Sequence, residues 1–188
     1  MKKLIVCTFF ALLFALSSSC ALFASNHLSK KEIFQLVIQN EELLQSIPGE
    51  IHRLPFDIVS ISTIEKSPIY FSESDHIQGL YICRWANGEL VYENIENDIF
   101  KKALELEGLL KIWVHPKRLE FFCGGKGLGI SGTYYGFNYY LETITSEQRF
   151  FSDYKSFRNG WLCEYDNGGS RRYTEKIQNG FYYYEEST

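Results

Sequence analysis

The chain has 188 residues, a formal net charge of −4 and an aromatic share of 16%, with three Trp, thirteen Tyr and fifteen Phe. That length suits one domain with a proper core. With no basic cluster longer than Arg171-Arg172, nucleic acid is excluded as a partner, and the rings exceed what a core needs, which leaves some for surfaces.

Lys2 and Lys3, the apolar run from Leu4 to Leu16 and the small residues after it have the three-part layout of a secretory signal. The run is too short to span a bilayer as a stable helix. Ser19 and Ala21 mark cleavage after Ala21, while Cys20 behind "LSSS" marks the alternative, a lipoprotein site whose cysteine would carry a lipid anchor. Residues 1–24 are therefore read as the signal and 25–188 as a single exported domain, in the periplasm, on the cell surface or secreted, with no transmembrane segment in the mature chain. Losing Lys2 and Lys3 makes that domain more acidic by two charges.

Ser29 and Glu32 form an S-x-x-E capping box, and Ile33, Phe34, Val37, Ile38 and Leu44 follow at helical spacing. Pro48 and Gly49 are expected to end that helix. Pro55 and Pro68 leave room for one weak strand over 58–64. In "GLYICRWANGELVYEN", Asn87-Gly88 supplies the two positive-φ residues of a type I′ turn, so Ala86 pairs with Glu89, Trp85 with Leu90, Arg84 with Val91 and Cys83 with Tyr92. Tyr81, Cys83, Trp85, Leu90 and Tyr92 then share one face, expected to be the buried one.

A short helix over "NDIFKKALELEG" is capped by Asn97 or Asp98. The strands "LLKIWV" and "RLEFFC" flank "HPK", where Pro116 suits an ordinary type I turn. Beyond the glycines, "TYYGFNYYLETI", "GWLCEY", "RRYTEKI" and "FYYYEE" read as strands, the last three parted by Asn167-Gly168-Gly169 and Asn179-Gly180. Strands joined by tight turns, with helices mainly before them, predict an α+β fold: an N-terminal helix and one short helix on a mainly antiparallel, meander-like sheet.

"GKGLGISG" at 125–132 contains Gly127, Gly129 and Gly132 in G-x-G-x-x-G spacing. A phosphate cradle needs a helix to begin there. The next residues are "TYYGFNYY", so the stretch is read as a glycine-rich connection or bulged edge between strands, and no nucleotide or other cofactor is expected. His27, His52, His76 and His115 stand singly with no C-x-x-C anywhere, which predicts no metal site.

Cys123, at a strand end, would be a nucleophile only if the fold brought His115 or His76 to it as base. The alternative makes it a small hydrophobe on a core face. Cys83, Cys123 and Cys163 give an odd count for an oxidising compartment, leaving three buried thiols or one disulfide, for which Cys83 with Cys163 is the favoured pair. Period two places Tyr135, Phe137, Tyr139 and Leu141 on the core face of their strand. Tyr134, Gly136, Asn138 and Tyr140 fall on the other face, where Tyr134, Asn138 and Tyr140 are candidates for stacking on a sugar or packing on a protein. The expected function is an exported module that binds a protein or glycan of the cell envelope without catalysis. The alternatives are an inhibitor or immunity-type protein against a basic toxin or enzyme, and a small cysteine-dependent hydrolase.

Overall fold

A computed structural model of the protein describes residues 28–63, 79–128, 131–141, 155–164 and 170–188. The expected signal, with Cys20, lies outside the described residues, as does His76. Among the described residues three helices, α1 (Lys30–Gln39), α2 (Glu41–His52) and α3 (Asp98–Leu104), accompany ten strands. The strands are β1 (Ile58–Ser62), β2 (Tyr81–Ala86), β3 (Glu89–Asn94), β4 (Lys111–His115), β5 (Arg118–Leu128), β6 (Ser131–Tyr140), β7 (Lys155–Phe157), β8 (Gly160–Glu164), β9 (Arg171–Gln178) and β10 (Phe181–Ser187). They form one sheet in the order β3-β2-β1-β4-β5-β6-β10-β9-β8-β7, and every ladder is antiparallel. The fold is α+β, with β4-β5-β6 and β7-β8-β9-β10 as meanders whose last strands pair with each other. No helix among the described residues is long and apolar enough to cross a membrane.

Helix α1 begins as its capping box dictates: the Ser29 hydroxyl accepts from the Glu32 amide and the Glu32 carboxylate accepts from the Ser29 amide at 2.6 Å. Two of the amides that a helix start leaves free are satisfied in this way. The helical stretch is two helices, not one. Asn40 leaves the helical region at φ −121°, ψ 22°, and its side-chain amide donates to the Leu36 carbonyl at 2.8 Å. Nor do Pro48 and Gly49 stop it, because α2 continues through both to His52. A proline there forfeits one backbone hydrogen bond, but Leu44 and Ile47 are fully buried and Ile51 packs against the core, so tertiary burial outweighs the local cost.

The core lies between the helices and the central strands. Ile33, Val37, Leu44, Ile47, Phe100 and Ala103 come down from the helices onto Ile61, Ile82, Ile112, Leu119, Phe121, Phe137 and Phe181. Phe121 and Phe137 stack at 4.5 Å between centroids. Glu41 ties the start of α2 to the β9–β10 turn by accepting from Gln178 and Asn179. At its other end Glu50 accepts from Asn97, whose side chain caps α3.

The hairpin β2–β3 has the register read from the sequence, Ala86↔Glu89 through Cys83↔Tyr92, with Asn87 at φ 52° and Gly88 at φ 84°. Its faces are the reverse of the expectation. Ile82 enters the core, whereas Trp85 is 60% exposed, Leu90 46% and Tyr92 37%, leaving only Tyr81 and Cys83 of that set buried. The glycine-rich stretch continues the β5–β6 ladder through Gly127↔Gly132 and Leu128↔Ser131, with a bulge between Phe122 and Gly124. Since β6 starts at Ser131, no helix begins after the glycines, which removes the geometry a phosphate cradle requires.

Two glycines make opposite demands. A Cβ on Gly88 would meet nothing within 4 Å, so only its positive φ resists substitution, whereas a Cβ on Gly136 would sit 2.0 Å from the Phe121 carbonyl oxygen on the neighbouring strand. Gly88→Val is therefore expected to cost about 1–2 kcal/mol through backbone conformation, and Gly136→Ala about 3 kcal/mol, at the top of the overpacking range. Urea unfolding of both variants checks the order, and a Gly136→Ala midpoint equal to wild type would contradict the close approach of β5 and β6.

Candidate functional site

Strand β5 separates the catalytic candidates. Leu119, Phe121 and Cys123 belong to the helix-facing core, and the Cys123 thiol, 2% exposed, points towards the Phe121 carbonyl at 3.9 Å. Burial pushes that thiol far above its ordinary pKa, so the nucleophilic thiolate is disfavoured. His115 lies on the opposite face, its Nε2 3.5 Å from Glu120 Oε2. The two candidates are not brought together. The expected Cys83–Cys163 bridge is also absent, since none of the three described cysteines, all buried, is in a disulfide. Six strands lie between β2 and β8 in the sheet, roughly 34 Å along it at about 4.8 Å per strand, whereas a disulfide needs Cα atoms within about 7 Å.

The face away from the helices is organised in rows set by the ladder register. One row runs Tyr92, Cys83, Ser60, Trp113, Glu120, Asn138, Tyr182 and Lys176 across eight strands. The three expected binding residues lie on this face, but differently placed. Tyr134 is 40% exposed, while Asn138 and Tyr140 are buried, Tyr140 against the Tyr182 ring in an edge-on contact at 5.3 Å. They do not form one open platform.

A charge cluster that single-strand patterns do not show occupies the middle of this face. Glu120 Oε2 lies 3.4 Å from the Arg118 guanidinium and 3.5 Å from that of Arg172. Arg172 also donates to Glu186 at 2.9 Å and stacks 4.3 Å over the Tyr184 ring. These residues come from β5, β9 and β10, and only the pairing of β6 with β10 brings them together. Burial alone would raise the Glu120 pKa; the imidazole of His115 and the guanidiniums of Arg172 and Arg118 outweigh it and hold the carboxyl at about 2. Nearby, the Lys111 ammonium sits 3.7 Å from the Trp113 ring centre, and burial lowers its pKa. Arg172 and Lys111 are buried, so the cluster serves chiefly to balance charge within the sheet surface.

At the edge hairpin the same face opens. Trp85 and Leu90 are directly opposed, Tyr92 is the next residue along β3 on that side, and all three are exposed. Among the described residues β3 is the last strand of the sheet at this end, so an apolar, ring-bearing surface stands beside a strand edge that no described strand pairs. Glu89, at the start of β3, is also exposed. Contiguous apolar exposure of this kind marks interaction surfaces, and Trp and Tyr dominate the energetics of such surfaces. No family model, no curated protein and no solved structure matches the chain.

The depressed Glu120 pKa predicts an acid-dependent stability. The ionised form is favoured by folding, so its contribution is complete above the unfolded pKa near 4.5 and is lost as the pH falls towards about 2. Glu120→Gln is expected to lose on the order of 3 kcal/mol at pH 7 and to approach wild type near pH 2. Chemical denaturation at both pH values checks it, and a difference that does not shrink with acidification would contradict the ionic role.

Proposed function

We propose that this chain is an exported binding module, working without catalysis, that engages a protein or glycan of the cell envelope through the outer face of the β2–β3 hairpin. The observation that carries the reading is the exposure of Trp85, Leu90 and Tyr92 side by side at an open sheet edge. A partner covering them gains apolar burial, and one offering an extended segment also gains backbone hydrogen bonds along β3. The signal-like residues 1–24 support export, with Cys20 as the alternative lipid attachment point.

The inhibitor or immunity-type reading is a special case of the same surface. The chain's net negative charge favours a basic partner and speeds its encounter. Catalysis by Cys123 is not proposed, because its thiol is buried and faces away from His115.

The test is capture from a cell-envelope extract by the immobilised chain and by Trp85→Ser/Leu90→Ser. Both side chains already face solvent, so the variant is expected to keep its melting temperature yet lose at least about thirtyfold in affinity, as removal of a central aromatic anchor does. Equal capture by both chains, or none by wild type, would remove this face from the function.

A further inference from the structure

Strand β3 reads ELVYEN, and the Asn87-Gly88 turn decides which of its backbone groups face β2. The two residues flanking such a turn exchange both of their hydrogen bonds, and the exchange recurs at every second pair. Glu89, Val91 and Glu93 therefore bond to Ala86, Arg84 and Ile82, their partners in the register. Ile95, next in that set, donates its amide to the Leu80 carbonyl at 2.9 Å. The N–H and C=O groups of Leu90, Tyr92 and Asn94 point the other way, out of the sheet edge, where they meet no hydrogen-bond partner among the described residues.

Natural edge strands are usually protected by lysine, proline or a bulge, and β3 has none of these. Its acids, Glu89 and Glu93, both lie on the face away from Tyr92. Glu93 is already paired with Arg84, whose guanidinium lies 4.8 Å over the Phe56 ring. Side-chain charge then selects how β3 can meet a second copy of itself in antiparallel pairing. With Tyr92 opposite Tyr92 on a two-fold axis, Leu90 faces Asn94 and Val91 faces Glu93 of the second copy. In that register every outward residue of both strands is hydrogen-bonded, and no carboxylate opposes another. Sliding the second strand by two residues one way sets Glu89 against Glu93, and the other way sets Glu93 against Glu93. Like charges directly opposed are destabilising, and either slide also leaves one outward residue of each strand without a mate in the other β3.

We propose that the β3 edge binds a second copy of this chain, the two strands pairing antiparallel about an axis at Tyr92 and joining two sheets into one. Leu90 then lies diagonally across from Tyr92 of the second copy, within reach of its ring. Trp85, Leu90 and Tyr92 of both copies form one apolar band over the junction. Edge pairing leaves the outer face of that band open, so the inference goes beyond the envelope partner proposed above and does not depend on it. It also gives such a partner a two-fold symmetric surface to meet.

Sedimentation equilibrium on the purified chain and two sets of variants test this. Wild type is expected to form a dimer and nothing larger. Asn94→Pro deletes an outward N–H but no bond to β2, and should weaken dimerisation about tenfold or more. It keeps Trp85, Leu90 and Tyr92, so capture of an envelope partner by the rings is read separately. Register is read by mixing Leu90→Cys with Asn94→Cys under mild oxidation. Hydrogen-bonded antiparallel partners lie about 5.5 Å apart between Cα atoms, within disulfide range, so the mixture should yield a disulfide-linked pair with one chain of each kind. Neither variant alone should cross-link to the same extent, and this readout holds even if Asn94→Pro fails to fold. A wild-type monomer at about 100 μM, an Asn94→Pro chain that dimerises like wild type, or a mixture that cross-links no better than its components would each overturn the assignment.

Discussion

Among the described residues a sheet of ten strands has two faces, and the three helices lie on only one of them. Everything distinctive about the side chains stems from that imbalance. The covered face is free to be apolar, and Ile61, Ile82, Ile112, Phe121, Phe137 and Phe181 fill it. The uncovered face cannot be finished in the same way, because a wide carpet of aliphatic groups would associate without selectivity. It is finished with amphipathic groups: tyrosines, an asparagine, and cations laid flat on rings, as Arg172 lies on Tyr184 and Lys111 on Trp113. Each buries apolar area while keeping a polar atom. Such a surface accumulates charge, and Glu120 with Glu186 offsets the guanidiniums it requires.

Local physics makes a large part of this architecture legible. The Asn87-Gly88 turn determines its own hairpin register because both residues must take positive φ and the strands then pair outward from them. The capping box at Ser29 and Glu32, the Asn97 cap and the Asn179-Gly180 turn are legible for the same reason, since each involves residues within a few positions of one another. The glycine-rich stretch is readable as strand from its C-terminal neighbour, a β-branched and aromatic run in place of a helix.

The features that sequence leaves open depend on distant partners. Period two shows which hairpin residues share a face, but not which face the helices choose, and β2 offers apolar residues on both sides: Ile82 on one, Tyr81, Cys83 and Trp85 on the other. The Pro48-Gly49 stop is overruled by burial of Leu44 and Ile47, a tertiary effect. Cys83 and Cys163 look equivalent as mid-strand cysteines, yet the sheet order puts six strands between β2 and β8. The Glu120–Arg172 contact spans 52 positions and exists only because β10, not β7, pairs with β6. The short strand β7 carries no alternation that would announce it.

The two ends of the sheet are unequal. β7 has three residues, whereas β3 has six and ends the sheet on the other side. A sheet with two long, open edges can add copies of itself indefinitely, each new molecule presenting the edge that recruits the next, which is how ordered strands become fibrils. Among the described residues only the β3 end offers a run of backbone groups long enough to hold a strand. Two copies meeting through β3 would consume both long edges and face outward with two stubs, so growth by edge pairing halts at a closed pair. A short β7 gives edge pairing little described backbone to extend from, whereas β3 gives it six residues.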